Sequence, residues 1–477
     1  MTKGPSMSVP EPRREDLVEV PSGRRRTVLA AAVGNYVEWY EFAVYGVVAA
    51  YISRAMFPAD DPSVAMLNTW ATYAVSFLAR PVGGVLLARL GDRHGRQHIL
   101  YVTIAMMSIA TFSIALIPSY AVVGIAAPIL LVCARLAQGI AAGGEFAGAT
   151  AFLYEHAPAG RRARTVSYLG ASTFCAIVSG SAVATLLAVA LPAEMMQSWG
   201  WRVVFATALP LGLVGIYIRR RLTDTPAFHA LREQAESDDH GDDHLSLWQV
   251  VRRNHRAILL YLGFGSFYSV AVYVSFTAYF AYMQVNGMPP GPALAINTVG
   301  GVVVIVGILL SGGLADRVGR RPLLIACIGA LAVVTVPTFL LGATGSPALA
   351  LLGALLFVVP LSVLITPAVI CVAELFPVRV RVTAGAIAYN LTVVVGGFTP
   401  FMAVWLTSAT GSGLAFPLLV VVLAVVALIV VLRGYREPGA AQEELDRLSP
   451  PRPTAADRAS PVVRPPFRDD DERPIRP

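Results

Sequence analysis

The sequence predicts an all-α polytopic membrane protein with twelve transmembrane helices, and three observations lead to this prediction. The 477 residues are 56% hydrophobic and only 14% charged, whereas a soluble domain is about 45–50% apolar and about 25% charged. The mean hydropathy of the chain is +0.63. The apolar residues form continuous runs, and most runs reach the roughly 20 residues that a helix needs to cross a bilayer.

The twelve apolar runs divide six and six around a long polar stretch. Their predicted limits are 27–52, 66–91, 97–117, 124–153, 164–190, 200–219, 255–283, 293–314, 321–342, 347–371, 381–407 and 414–433. We expect two six-helix bundles, at 27–219 and at 255–434. A cytoplasmic N-terminal segment at 1–26 precedes them, and a central cytoplasmic loop at 220–254 joins them. The tail at 435–477 is rich in Pro, Arg and Asp, which predicts disorder.

Arginine is distributed unevenly over the connections between the spans. One set of connections is basic, at 24–26, 93–96, 161–164, 219–221, 252–256, 317–321 and 379–381. The opposite set holds little more than Arg54 and Arg202. Short basic loops stay cytoplasmic, so we expect both termini on the cytoplasmic side of the plasma membrane. The same bias explains the net charge of +7 without a nucleic-acid partner.

The two halves of the chain share short repeats. The stretch ARLGDRHGRQHIL at 88–100 matches GGLADRVGRRPLL at 312–324, and each lies between the second and third spans of its half. At a similar offset, EHAP at 155–158 corresponds to ELFP at 374–377. Duplicated halves are a known design of secondary transporters, whose substrate site lies between the halves near mid-membrane. The repeats therefore predict two six-helix pseudo-repeats.

Several motifs together make the chain similar to the major facilitator superfamily, and within it to the metabolite:proton symporters. They are GNYVEWYEFAVYG (34–46), FLARPVGG (77–84), RLAQGIAAGGEFAGA (135–149), WGWR (199–202), TDTPAF (223–228) and ELFPVRVR (374–381). The first motif usually ends in an aspartate where this chain has Glu41. The resemblance implies the major facilitator fold.

Two further stretches resemble the proline/betaine transporters of that family, namely DPSVAML (61–67) and IPSYAVVGIAAPILL (117–131). The chain also departs from the pattern in two places. Ala88 stands where a glycine usually opens the loop motif. The tail has no heptad pattern, whereas some osmosensory members have a coiled coil there.

Five ionisable residues lie inside predicted spans one, two and four: Glu38, Glu41, Arg80, Arg135 and Glu145. A charge at mid-bilayer costs about 2.5–3.5 kcal/mol on insertion scales, so we expect these residues to serve a function. On the first helix, Glu38 and Glu41 share one face with Asn35 and Tyr45. At a rise of about 1.5 Å per residue, Glu38 and Arg135 reach a similar depth.

The functional interpretation of Glu38, Glu41 and Arg135 is proton coupling. A low dielectric favours the neutral form of a carboxyl group, and a nearby arginine favours the ionised form. The resemblance implies that Glu41 and Arg135 match a first-span acid and a fourth-span arginine with this role in sugar:proton relatives. The alternative is a static ion pair that only fixes helix packing.

Substrate contacts are expected from the same face of the first helix, including Asn35 and Tyr45. Arg80 either binds a substrate carboxylate with two hydrogen bonds or pairs with Glu145. Gln138 follows Arg135 by one turn, and it either donates to the substrate or makes a hydrogen bond between helices.

Span seven is rich in aromatic residues, and four of them are placed to line the cavity: Phe264, Tyr268, Phe276 and Tyr279. Aromatic faces attract quaternary ammonium groups, which predicts a betaine-like substrate. The alternative is that these rings pack the core or anchor the helix at the membrane interface. Tyr389 and Asn390 in span eleven are candidates of the same kind.

The repeated loops predict a cytoplasmic gate made of Asp92, Arg93, Gly95 and Arg96 in one half and of Asp316, Arg317, Gly319 and Arg320 in the other. The resemblance implies that the aspartate caps a helix of the opposite half, where the helix dipole favours an anion. Glu155 and Glu374 are candidate partners for the loop arginines. Topology alone would explain the arginines but not two aspartates in register.

The sequence therefore predicts a proton symporter that imports a small carboxylate-bearing metabolite, with proline or glycine betaine as the first candidates. The alternatives are a symporter of an anionic organic acid such as 2-oxoglutarate, citrate or shikimate, a non-transporting membrane sensor, and proton-independent facilitation. The predicted partners are the substrate, protons and the lipid bilayer, with no obligate protein partner. We expect no enzyme activity, no cofactor and no metal, because the chain lacks a phosphate-binding loop and a cluster of metal ligands.

Overall fold

The computed structural model describes residues 22–437, apart from 95, 144, 156, 159, 224–246 and 378–379. Side chains are not described at 22–27, 30, 85, 88–89, 91–100 and 219–223. Most of the predicted N-terminal segment, of the central loop and of the tail therefore lies outside the described residues.

The described residues form helices joined by short links. The first helices are α1 Ser22–Val47, α2 Ala49–Met56, α3 Pro62–His94, α4 Arg96–Leu116, α5 Tyr120–Val123, α6 Ala126–Ala141, α7 Glu145–Glu155, α8 Arg162–Ala190, α9 Ala193–Met195, α10 Trp201–Ala206 and α11 Ala208–Thr223. The later helices are α12 Leu247–Tyr273, α13 Tyr279–Val285, α14 Pro290–Val318, α15 Arg320–Gly342, α16 Pro347–Glu374, α17 Arg381–Gly397, α18 Thr399–Thr410 and α19 Ala415–Gly434. Two turns, Met196–Gly200 and Val274–Ala278, are π-helical.

This architecture confirms the all-helical prediction. Within the described residues, nine helical segments are long and apolar enough to cross a membrane. The three remaining predicted spans coincide with α1 and α2, with α3 and with α4. The helices are therefore consistent with twelve spans, and their ends lie within several residues of the predicted limits.

Four of the predicted spans are interrupted. The first breaks at Val48, the fourth between α6 and α7, the sixth at Thr207 and the eleventh at Phe398. At the second of these breaks, Gly143 lies so close to α3 that a β-carbon would overlap the carbonyl oxygen of Arg80. The amide of Asn390 donates to the Gly143 carbonyl at 2.6 Å. The chain leaves the helix where two backbones meet, which hydropathy alone does not reveal.

Several helix pairs join the part of the chain before the central segment to the part after it. Helix α14 packs along α8, and α17 packs against α3; α16 also contacts α7 and α8, and α18 contacts α3. Within the first part, α1 packs on α8 and on α11, while α6 packs on α3 and on α4. The inner faces of α1, α3, α4 and α6 thus meet next to the contact with α17, and the buried charges lie there.

Candidate functional site: a buried charge cluster among α1, α3, α4 and α6

The first component of the site is a buried ion pair between α1 and α3. Arg80 Nη2 lies 3.0 Å from Glu38 Oε1. The exposed fraction is 0% for Arg80 and 1% for Glu38. The Arg80 guanidinium also lies over the Phe42 ring, 4.5 Å from its centroid. Removing a charge from water costs several kcal/mol per ion, so the short contact and the aromatic face are what make this burial tolerable.

The second component is Glu41, which is fully buried. Its two carboxylate oxygens accept hydrogen bonds from Ser108 Oγ at 2.8 Å and from Thr111 Oγ1 at 2.5 Å. Both hydroxyls come from α4. A hydroxyl both donates and accepts, so this pair can satisfy Glu41 as a carboxylate or as an acid.

A chain of hydrogen bonds connects Glu41 to the arginine of α6. Gln138 Nε2 donates to Thr111 Oγ1 at 2.5 Å, and Arg135 Nη1 donates to Gln138 Oε1 at 2.7 Å. Among the described residues, Glu41 and Arg135 make no direct ion pair. The expected relation between acid and arginine is thus realised through two intermediate side chains.

Arg135 is surrounded mainly by aromatic rings. Its guanidinium carbon lies 4.3 Å from the ring centroid of Tyr45, 4.8 Å from that of Tyr73 and 5.4 Å from that of Phe42. Arg135 is fully buried, and its Nε and Nη2 atoms make no hydrogen bond within the described structure. The site therefore contains guanidinium N–H groups to which no described residue offers an acceptor.

A second cluster lies at the basic end of the molecule, defined as the end at which Arg162, Arg320 and Arg381 lie. The backbone N–H groups of Ala163 and Arg164, in the first turn of α8, donate to the carboxylate of Asp316 at 2.8 and 2.9 Å. This is a helix N-terminus bound to an anion from a distant part of the chain. Gly319, with φ +94°, begins the tight turn after Asp316.

Two ion pairs flank this contact. Arg320 donates two hydrogen bonds to Glu374, from Nη2 to Oε1 at 2.7 Å and from Nε to Oε2 at 3.2 Å. Arg381 Nη1 lies 2.6 Å from Glu155 Oε1, which joins α17 to α7. Arg317 is exposed. The side chains of Asp92, Arg93 and Arg96, and the whole of Gly95, lie outside the described residues, so the first repeat of the predicted gate is not seen.

Comparison with known proteins identifies the family. A family model described as Major Facilitator Superfamily matches residues 41–398. The chain belongs to this superfamily. The match includes Glu41, Arg80 and Arg135 and most of the helices of both sequence repeats, and it begins three residues after Glu38.

Curated relatives cover most of the chain. The proline/betaine transporter of Salmonella typhimurium is 35% identical over 427 residues, covering 87% of this chain and 84% of that protein. The glycine betaine/proline/ectoine/pipecolic acid transporter OusA of Dickeya dadantii is 35% identical over 428 residues, with the same coverage. The ectoine/proline transporter ProP of Corynebacterium glutamicum is 31% identical over 441 residues, covering 88% of this chain and 86% of that protein.

Solved structures share the fold. The xylose transporter XylE of Escherichia coli, in a partially occluded inward-open conformation, gives a TM-score of 0.68 at 20% identity, covering 87% of this chain and 98% of that one. A double-tryptophan mutant of XylE gives 0.70 at 19% identity, covering 88% and 98%. This likeness confirms the major facilitator fold that the sequence motifs imply.

Several residues predicted to contact substrate are engaged in helix packing in this superfamily member. The Asn35 amide donates to α8, at 2.8 Å to Ser172 Oγ and 2.8 Å to Thr173 Oγ1. The Tyr45 hydroxyl donates to the Thr69 carbonyl at 3.0 Å. These contacts join α1 to its neighbours. Their roles in transport stay predictions.

The aromatic residues of span seven do not share one set of ring contacts. Phe264 contacts Tyr261 and Tyr435, whereas Tyr279 contacts Phe339 and donates to the Ala350 carbonyl at 2.8 Å. Tyr268 is buried. Tyr389 stacks on Phe146 with ring centroids 4.3 Å apart. Glu145 lines a small cavity together with Glu38.

Sequence reasoning missed four polar residues that the structure places at the charge cluster. They are Tyr73, Ser108, Thr111 and Tyr273. Ser108 and Thr111 lie three residues apart on span three, which puts them on one helix face. That spacing was readable, but hydroxyls are common in membrane helices, so only the position of Glu41 shows that they matter.

Proposed function

We propose that this chain is a proton symporter that imports a small zwitterionic osmolyte such as proline or glycine betaine. Curated relatives at 31–35% identity are named for the transport of proline, betaine and ectoine. The observation that carries the proton part of the proposal is Glu41. It is a fully buried acid whose partners are hydroxyls and whose hydrogen-bond chain reaches an arginine.

Proton coupling follows from how these groups respond to one another. When Glu41 is ionised, Ser108 and Thr111 donate to it. When Glu41 takes a proton it can donate to Thr111, whose own hydroxyl hydrogen then turns to the Met107 carbonyl at 3.0 Å. This reorients the hydroxyl to which Gln138 donates, and Gln138 in turn accepts from Arg135. The protonation state of Glu41 thereby alters the surroundings of Arg135, two side chains away. The proton on Glu41 and a substrate near Arg135 would therefore be connected by the same hydrogen-bond network.

The energy for accumulation comes from the membrane potential. One charge moved across 100 mV supplies about 2.3 kcal/mol. A zwitterion adds no net charge, so the proton alone makes import electrogenic. A monoanionic acid such as shikimate carried with one proton would move no net charge, and a dianion such as 2-oxoglutarate would carry one net negative charge inward. Current measurements therefore distinguish these acids from a zwitterion.

We further propose that the basic end faces the cytoplasm in the plasma membrane, with both termini on that side. The two six-helix bundles would then move against each other, and the contacts of Asp316 and Arg381 would close the cytoplasmic side in the conformation described here. Opening toward the cytoplasm would break these two contacts. The role proposed for the gate residues is thus to hold the cytoplasmic side closed. The basic connections support this orientation.

The test is uptake of labelled proline, glycine betaine and 2-oxoglutarate into proteoliposomes under an imposed pH gradient and potential. We expect accumulation of proline or betaine, accompanied by inward current, and its loss when ionophores collapse both gradients. Accumulation that survives their collapse would refute proton symport. Transport of 2-oxoglutarate alone would refute the proposed substrate class, and uptake of none of the three would argue against a transporter for this group of metabolites.

A further inference from the structure

The charge cluster contains more buried hydrogen-bond donors than the protein uses. Arg135 donates from Nη1 to Gln138, while its Nε and Nη2 make no hydrogen bond in the described structure. More than about 90% of buried polar groups in native proteins have a partner. An unused guanidinium edge in a fully buried position is therefore informative, because a buried charge without partners is destabilising.

Two tyrosine hydroxyls accompany this guanidinium edge. Tyr73 of α3 and Tyr273 of α12 are buried. The Arg135 guanidinium lies 4.8 Å from the ring centroid of Tyr73, and the Tyr273 ring lies 6.3 Å from the Tyr73 ring. Neither hydroxyl makes a hydrogen bond of good geometry within the described structure, although the two lie near each other. By contrast, the Tyr40 hydroxyl has a partner at 2.6 Å, in Thr207. The buried hydroxyls of Tyr45 and Tyr279 have partners as well, whereas that of Tyr261 makes no hydrogen bond within the described structure.

The charges of the cluster indicate which kind of ligand would fit it. Glu38 neutralises Arg80 at 3.0 Å, and Glu145 lies on the Glu38 side of the cluster, in the same small cavity. Arg135 has no carboxylate at ion-pair distance among the described residues. Once Glu41 is protonated, the positive charge of Arg135 is uncompensated. A group that brings one negative charge and two acceptor oxygens would complete the site.

We infer that Arg135, Tyr73 and Tyr273 form the binding site for the carboxylate of the transported metabolite. The planar fork of a guanidinium matches a carboxylate in two parallel hydrogen bonds, and the tyrosine hydroxyls donate to the remaining lone pairs. This assignment rests on the proposed function, since it takes the substrate to carry a carboxylate. It places the site between α3 and α6 on one side and α12 on the other.

The site also connects substrate to proton. A proton on Glu41 leaves the positive charge of Arg135 uncompensated, and a bound carboxylate compensates it, so each favours the binding of the other. The remainder of the ligand would lie against aromatic faces. The Tyr273 ring lies 5.5 Å from that of Phe77 and 6.4 Å from that of Trp39, and such faces accept a quaternary ammonium group.

The experiment compares glycine betaine with choline, which has the same cation and no carboxylate. Binding to the purified full chain is measured by calorimetry for the wild type and for Tyr73→Phe, Tyr273→Phe and the double variant. Each substitution keeps the ring and removes only the hydroxyl. A hydrogen bond to a charged group contributes enough that we expect the double variant to bind betaine about 10- to 100-fold more weakly, with choline binding unchanged within about twofold.

The control is Tyr40→Phe, a buried tyrosine whose hydroxyl bonds Thr207 away from the site; it should leave the betaine-to-choline ratio unchanged. Arg135→Lys keeps the charge and loses the fork, so it should also weaken betaine selectively. Unchanged betaine binding in the double variant, or an equal loss of betaine and choline, overturns the inference. If the wild type binds 2-oxoglutarate but neither proline nor betaine, the proposed substrate is wrong and the same variants test the site with 2-oxoglutarate. Binding of none of these ligands overturns both.

Discussion

The contact between Asp316 and the start of α8 offers the sharpest quantitative prediction. Two backbone N–H groups, of Ala163 and Arg164, donate to one carboxylate at 2.8 and 2.9 Å. Each hydrogen bond to a charged group contributes about 1.5–3 kcal/mol, and a neutral one about 0.5–1.5 kcal/mol. Asp316→Asn removes the charge and one acceptor oxygen but keeps the other. We therefore expect it to weaken the contact by about 2–4 kcal/mol.

A loss of that size shifts the equilibrium between closed and open basic ends by about 30- to 900-fold toward open. The shift is measured by electron–electron distance spectroscopy between spin labels at Arg161 and Val318, which are both exposed. The four native cysteines are first replaced. A longer distance should become populated in the Asp316→Asn variant.

The matched control is Asp61→Asn. Asp61 also accepts a backbone N–H, from Ser63 at 2.8 Å, but two residues along its own chain. It should leave the distance distribution unchanged. If Asp316→Asn gives the distribution of the parent protein, the contact with α8 does not hold the basic end closed, and the gate proposed for this residue is wrong.

Three further predictions concern coupling, packing and the exposed gate pair. Glu41→Gln should abolish substrate accumulation driven by a membrane potential, while exchange of substrate across proteoliposome membranes continues. Coupling to one proton sustains a concentration ratio of about 50-fold per 100 mV. Normal accumulation by the variant would exclude Glu41 as the proton carrier. Gly139→Ala should lower the thermal midpoint, at a cost of about 1–3 kcal/mol, because its β-carbon would overlap a carbonyl oxygen of α3. Gly148→Ala has open space and serves as its control, so equal midpoints would contradict the close approach. Glu155→Gln should change the ratio of open to closed spin-label distances by less than about tenfold, because the Glu155 side chain is 38% exposed beside Arg381. A larger change would mean that this ion pair dominates closure.

Much of the fold could be predicted because a bilayer restricts what a sequence can do. Each span must form all its backbone hydrogen bonds within itself and be long enough to cross the bilayer. Hydropathy and length therefore locate the helices. The predicted spans at 164–190 and 321–342 coincide closely with Arg162–Ala190 and Arg320–Gly342. The break at Gly143 was not predicted, because it arises where one helix backbone meets another.

For the candidate site, the sequence identified the charges but not their partners. The five interior charges were conspicuous because each is costly in a membrane. Their pairing depends on the rotation and depth of each helix, which a shift of one residue changes by 100° and about 1.5 Å. Arg80 thus pairs with Glu38, although Glu145 was an equally reasonable partner on spacing alone.

The sequence by itself determined that this chain is a membrane transporter of the major facilitator type, because composition, arginine bias and repeated motifs are properties of the linear chain. Only the tertiary structure decided that Glu41 is bound by hydroxyls of α4 and that Arg135, next to the Tyr73 ring, has two N–H groups without a hydrogen bond among the described residues. Hydrogen bonds between residues far apart in sequence depend on donor–acceptor distances that are set to within tenths of an ångström. Those distances are fixed only once the helices have packed.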